Sequence, residues 1–227
     1  MRFDCSAPAR KAMKSGLENE RPFWSYEDIG VFSLILAALR PILEVFVRLH
    51  LLPRSQLEHP GFGLEFVVVV FLMLALCLVL KARYHRPVLR ALGWLWPRST
   101  DVIIAAFLGV LLATAVIFLG GHAQNTPTMP LLEVLVLGVV LGPILEESFF
   151  RGCLLPVLAR GLGDRLAVIL TALLFALFHS PANLAHWVSF TGSGLAYGWI
   201  RVTSRSTVAA TIAHAIYNLA LFLFTRF

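Results

Sequence analysis

Apolar residues run along this chain in long blocks, separated by short polar connections. Seven segments stand out, at about 29–52, 62–80, 101–120, 131–155, 165–181, 184–201 and 206–225. Runs of this length match the roughly 20 residues a helix needs to cross a bilayer. The pattern therefore predicts an all-α fold, a polytopic bundle of about seven transmembrane helices. The first segment is the most polar. Arg40, Glu44 and Arg48 recur every fourth residue and form one stripe on a helix. The stripe is expected to pair in sequence along a bundle-facing side.

Composition agrees with this reading. Hydrophobic residues make up 58% of the 227 positions and charged residues 14%, against about 25% charged in a soluble domain. Mean hydropathy is +0.80. The formal charge of +6 raises the question of nucleic acid. The basic residues flank apolar runs instead of forming a stripe with interleaved aromatics, so no nucleic-acid partner is expected. Their distribution reads as topology. Fifteen of the 19 lie in the tail 1–28 and the connections near 81–100, 151–165 and 201–205. The bias predicts a cytoplasmic N-terminus and an external C-terminus, with a cytoplasmic tail over 1–28 and a transmembrane domain over 29–227. Residues 84–98 mix Arg with Trp94 and Trp96 and read as a cytoplasmic segment lying in the membrane interface. The uncharged stretch 121–130 reads as a short external turn.

Chemistry concentrates in segments four to seven. An acidic side chain at mid-bilayer costs roughly 2.5–3.5 kcal/mol on insertion scales, yet LGPILEESFFRG carries Glu146 and Glu147 in succession. Neighbouring helical residues point about 100° apart, so the two acids face different surroundings. Arg151 follows Glu147 by four residues, the favourable order for an ion pair. That pairing leaves Glu146 free for chemistry. Gly138 and Gly142 lie on the Glu146 stripe and allow a close neighbour or a cleft, and Pro143 predicts a kink just before the acids.

Segment five ends with Phe175 and His179, four residues apart on one face. Segment seven carries His214 and Asn218 at the same spacing, preceded by Ala209, Ala210 and Ala213. In segment six, Gly194 and Gly198 make a small-residue packing face. Glu146 and His179 lie about 16 residues on either side of the turn Gly161-Leu162-Gly163. Equal offsets in an antiparallel hairpin mean equal depth, roughly 24 Å along each helix, so the two should meet. His214 starts nearer its own end of the bundle, and its match is looser.

A carboxylate, two imidazoles and an amide gathered in a membrane bundle suit hydrolysis of a peptide bond. Glu146 can take a proton from water, His179 can orient that water or shuttle the proton, and His214 and Asn218 can donate to an oxyanion. Alternatively Glu146, His179 and His214 could hold a divalent metal such as zinc. Asn218 is a poor zinc ligand and no HExxH occurs, which favours the metal-free version. Two further readings use the same residues: a non-enzymatic membrane immunity or binding protein, and a transporter in which Glu146 relays protons. His50, His59, His85 and His122 sit at segment ends or in loops, and His186 near the start of segment six. None of the five joins the cluster. Gly161-Leu162-Gly163-Asp164 spells the GxGD of aspartyl proteases, but no second mid-span aspartate accompanies it. Ser193 with His214 suggests a serine dyad, but Thr191 stands where the GxSG pattern needs its first glycine.

The ordered trio EExxxR (Glu146, Glu147, Arg151), FxxxH (Phe175, His179) and HxxxN (His214, Asn218) resembles the CPBP family. These are the CAAX prenyl protease and bacteriocin-processing intramembrane proteases, also called the Abi family. The resemblance covers about residues 130–225, read as the catalytic core. It implies a helical fold with a cavity open to the cytoplasm. Within it Glu146 and His179 would be the catalytic pair, and His214 and Asn218 the oxyanion-side residues. Glu147, Arg151 and Phe175 would be supporting positions. It also implies a membrane-associated peptide or protein substrate in a lipid bilayer. Family members are described both as metallo- and as glutamate-type proteases. The compact chain looks prokaryotic, which places it in an inner (plasma) membrane.

Overall fold

The computed structural model describes residues 24–58, 61–85, 87–119 and 130–226. Most of the expected N-terminal tail, with Cys5, and most of the external turn at 121–130 lie outside the described residues, as do His59 and His122. Among the described residues ten α-helices follow in chain order: α1 (Tyr26–Arg48), α2 (Ser55–Glu58), α3 (Phe62–Tyr84), α4 (Val88–Ala91), α5 (Ser99–Phe118), α6 (Leu131–Glu133), α7 (Gly142–Glu147), α8 (Leu155–Phe178), α9 (Leu184–Ser204) and α10 (Thr207–Arg226). Two π-helical stretches, Val134–Leu141 and Ser148–Leu154, join α6 to α7 and α7 to α8. No strand occurs among the described residues, so the fold is all-helical.

Among the described residues five helices are long and apolar enough to cross a membrane: Tyr26–Arg48, Phe62–Tyr84, Ser99–Phe118, the stretch Leu131–Phe178 and Thr207–Phe224. The chain is an integral membrane protein. The difference from seven has two sources. The apolar segments 131–155 and 165–181 fall in one 48-residue stretch, which breaks at Gly163. There φ is +76° and ψ 161°, a conformation open to glycine and strained for other residues. The sixth segment is α9, where His186, Ser189, Ser193 and Arg201 dilute the apolar character.

Lipid tails are as apolar as leucine, so association of these helices rests on close backbone approach. The α5–α10 seam is the most extensive contact in the bundle. Ala105 and Ala113 of α5, with Ala209, Ala210 and Ala213 of α10, are fully buried. A Cβ on Gly109 would lie 2.5 Å from the Ala213 carbonyl. A Cβ on Gly194 would lie 2.9 Å from the Ala172 Cα, which seats α9 against α8. The small face read at Gly194 and Gly198 is therefore a packing face.

Polar clamps fix the end of the bundle that holds the Gly163 break. Ser25 and Asp28 form a reciprocal capping box at the start of α1, satisfying donors the first turn leaves open. Asp28 also accepts from the Tyr84 hydroxyl at 2.5 Å and pairs with Arg83 at 3.0 Å, tying α1 to the end of α3. Trp24 donates to the Cys153 carbonyl at 3.0 Å, and Tyr26 to the Val157 carbonyl at 3.3 Å. Past this end α1 packs mainly against α3 and α2. Arg40 and Glu44 do pair, at 3.5 Å, but with side chains 80% and 44% exposed. The stripe faces away from the bundle, contrary to expectation, because Leu39, Ile42 and Leu43 occupy the side toward α3.

The segment between α3 and α5 divides its two tryptophans. Trp96 is 82% exposed. Trp94 turns inward and donates its indole N–H to Ser148 Oγ at 3.0 Å. Its loop is strapped to the start of α10, where the Thr207 N–H donates to the Gly93 carbonyl at 2.8 Å and the Thr207 hydroxyl to the Leu92 carbonyl at 2.6 Å.

Candidate active site

Pro143 sits in the first turn of α7, where a missing N–H is tolerated. The expected irregularity takes the form of π turns on both sides of α7. Such widened turns recur at functional sites. Here they deliver Glu146 and Glu147 at the end of a six-residue helix.

The two acids have separate environments, as their angular offset predicts. The Glu147 side chain is fully buried. Its Oε1 pairs with Arg151 Nη1 at 3.0 Å and also meets His214 Nδ1 at 2.9 Å. Arg151, itself fully buried, donates Nη2 to the Gly194 carbonyl at 3.0 Å and stacks over Phe175 at 4.5 Å. One buried ion pair thus joins the second π stretch to α8, α9 and α10. The Glu146 side chain is 31% exposed. Its Oε2 lies 3.5 Å from His179 Nε2 and 4.0 Å from His214 Nε2.

Both histidines are oriented from behind. His179 ends α8, and its Nδ1 is 2.8 Å from the Phe175 carbonyl. A carbonyl only accepts, so Nδ1 carries the proton and Nε2 faces Glu146. The ring lies between Phe175 and Phe190, with centroids 4.4 and 4.6 Å away. His214 Nδ1 likewise donates to the Glu147 carboxylate, so its Nε2 also turns to Glu146. Tyr197 stacks on the His214 ring at 4.8 Å, 19° from parallel. Asn218 Nδ2 donates to the Gly138 carbonyl at 2.7 Å, and a Cβ at Gly138 would meet only Val134 at 3.9 Å. One of the two Asn218 amide protons is used there and the other stays available.

Glu146, His179 and His214 therefore come together, and Asn218 flanks them one turn along α10. Glu147, Arg151 and Phe175 stand immediately behind. Ser193 donates to the carbonyls of Ser189 and Phe190 within its own helix. Sequence reasoning missed the Glu147–His214 link, since Glu147 already had Arg151 as a local partner. It also missed Tyr197, Phe190 and Trp94. Tyr197 lies inside the GLAYG stretch that drew attention for its glycines, and its spacing from His214 carries no local signal.

A metal would require donors disposed around one point. Among the described residues no group of three His, Cys, Asp or Glu side chains has that disposition. Glu146 instead contacts the imidazoles directly.

A partly buried carboxylate thus faces two anchored imidazoles inside an apolar helical bundle, an arrangement chemically able to pass a proton. Residues 128–220 match the family model described as type II CAAX prenyl endopeptidase Rce1-like. The match covers less than half of the chain, and it makes this segment similar to membrane peptidases of the CPBP group that the three motifs resemble. No curated protein and no solved structure matches the chain.

Proposed function

We propose that the protein is an intramembrane endopeptidase of the glutamate type, cutting a membrane-associated peptide or protein. The convergence of His179 Nε2 and His214 Nε2 on the single oxygen Oε2 of Glu146 carries this reading. Two lone pairs cannot face each other favourably, so the Glu146–His179 contact holds a proton on one partner or the other. That pair accepts a proton from water as it attacks the scissile carbonyl, and returns it to the leaving amine.

His214 and the free N–H of Asn218 stabilise the oxyanion. With Nδ1–H given to Glu147, His214 Nε2 donates only when the ring carries both protons. Glu147, Arg151 and Phe175 act by positioning. The segment 130–225 is the catalytic core, opening to the cytoplasm. The positive-inside bias gives a cytoplasmic N-terminus in a prokaryotic plasma membrane. The bond from Tyr26 to Val157 supports one element of this topology, since it puts the start of α1 beside the basic turn of Arg160 and Arg165.

The test is proteolysis by the purified, reconstituted protein with a panel of membrane-tethered peptides. Cleavage is expected from the wild type and not from Glu146→Ala or His179→Ala. Full activity in both variants overturns the assignment.

A further inference from the structure

The outward face of α1 has no place against lipid. Gly30, Ser33, Ala37, Arg40, Glu44 and Arg48 fall within one side of the helix at 100° per residue, and five of them are exposed. Glu44 keeps a side chain 44% exposed. A Cβ at Gly30 would meet open space. The opposite side of α1 lines an apolar cleft of about 470 Å³ with Leu64, Val67 and Phe71 of α3. Leu39, Ile42 and Leu43 thus face the neighbouring helix, while the small and ionised side chains face away from the bundle, bordered by the exposed Leu34 and Val45. Arg40 lies 14 residues beyond the start of α1, about 21 Å along a hydrocarbon core about 30 Å thick. Ionised groups at such depth face protein or water.

We infer that this face is the seam of a homodimer, in which α1 packs in parallel against α1 of a second copy. The charge order selects the partner. A surface that suits Arg40 and Glu44 must present an acid and a base one helical turn apart. The same stripe of a second copy presents that pair. A twofold axis along the membrane normal, the commonest oligomeric symmetry, sets Arg40 of each copy diagonally across from Glu44 of the other. Two equivalent ion pairs then join the internal Arg40–Glu44 pair in a four-charge cluster. Gly30, Ser33 and Ala37 let the two backbones approach below it. This inference uses no catalytic residue and stands apart from the proposed hydrolysis.

The test is energy transfer between donor- and acceptor-tagged full-length chains in vesicles of phosphatidylcholine and phosphatidylglycerol, over a range of protein-to-lipid ratios. Wild-type transfer should rise with protein density. Arg40→Glu alone and Glu44→Arg alone should each weaken dimerisation at least tenfold, with helical circular dichroism unchanged. Mixing the two single variants should restore transfer, as should the double exchange R40E/E44R within one chain. Three results overturn the dimer. One is a wild type that stays monomeric at every density, which leaves the face to a different membrane protein. Another is transfer insensitive to both reversals. The third is rapid reaction of Ser33→Cys and Ala37→Cys with a membrane-impermeant maleimide, which places the face against water.

Discussion

Glu146 and His179 lie 17 residues before and 16 residues after Gly163, and their side chains meet at 3.5 Å. The near-equal offsets bring the two to one depth when the chain reverses at this glycine. If the pair handles the proton, Glu146→Gln should lower kcat/KM at least 100-fold, in line with the 10²–10⁴ typical of general acid–base catalysis. The amide preserves shape, so thermal unfolding in detergent should stay near wild type. Kinetics of peptide cleavage beside a melting curve check both halves.

The adjacent acid should behave in the opposite way. Glu147 is fully buried and shared between Arg151 and His214. Replacing it with Ala leaves the Arg151 guanidinium buried without its counter-charge. Loss of one partner of a buried pair costs about 3–5 kcal/mol. Glu147→Ala should therefore lower the yield of folded protein and the unfolding midpoint, where Glu146→Ala does neither. Denaturation of the two variants side by side measures the contrast.

Local spacing carried a large part of this site. The Glu147–Arg151 pair is four residues long, the Phe175–His179 ring contact is four residues long, and the meeting of Glu146 with His179 follows from counting out from one turn. What was not legible depends on helix placement. Arg40 and Glu44 pair as their spacing says, yet which side of α1 faces α3 was set by Leu39, Ile42 and Leu43. His214 finds Glu147 across 67 positions, and Tyr197 stacks on His214 from a different helix. The two π stretches have apolar sequences that fit an α-helix equally well. Five long apolar helices stand where the pattern predicts seven because the fourth and fifth segments form one helical stretch with a break at Gly163, and because α9 carries too many polar residues to count with them.

Asn218 couples a hydrogen bond across the bundle to a donor for the oxyanion. Its Nδ2 reaches the Gly138 carbonyl at 2.7 Å. Interhelical hydrogen bonds in membranes contribute about 0.6 kcal/mol on average and about 1.7 at most. Asn218→Ala should therefore cost little stability. Loss of one oxyanion donor typically costs 10²–10³ in kcat, and a drop of that size with a small change in KM is expected. A drop no larger than the stability loss implies would leave Asn218 as a packing residue.

Cleavage should not depend on a dissociable metal. Glu146 contacts both imidazoles directly, and no three donors surround a common point among the described residues. Dialysis of the purified protein against EDTA and then 1,10-phenanthroline should leave kcat/KM within about twofold, well below a tenfold change of about 1.4 kcal/mol. Elemental analysis of the same sample should find zinc well below one atom per chain. Inactivation by both chelators, reversed by added zinc, would reassign Glu146, His179 and His214 as ligands.

The α5–α10 seam fixes the depth of His214, because Gly109 meets the Ala213 carbonyl one residue before it. A methyl at Gly109 would lie 2.5 Å from that oxygen and 3.0 Å from the Ile216 side chain. The oxygen belongs to the backbone, so α10 itself must move. Overpacking of this kind costs about 1–3 kcal/mol. Displacing α10 also lengthens the 2.9 Å contact between His214 and Glu147. Gly109→Ala should therefore reduce both the unfolding midpoint and kcat, although residue 109 touches no substrate. Ala105→Gly, at the same seam one turn earlier, adds no atoms and should leave kcat unchanged while lowering stability by about 1 kcal/mol through helix propensity. The pair of variants separates displacement of His214 from general weakening of the seam.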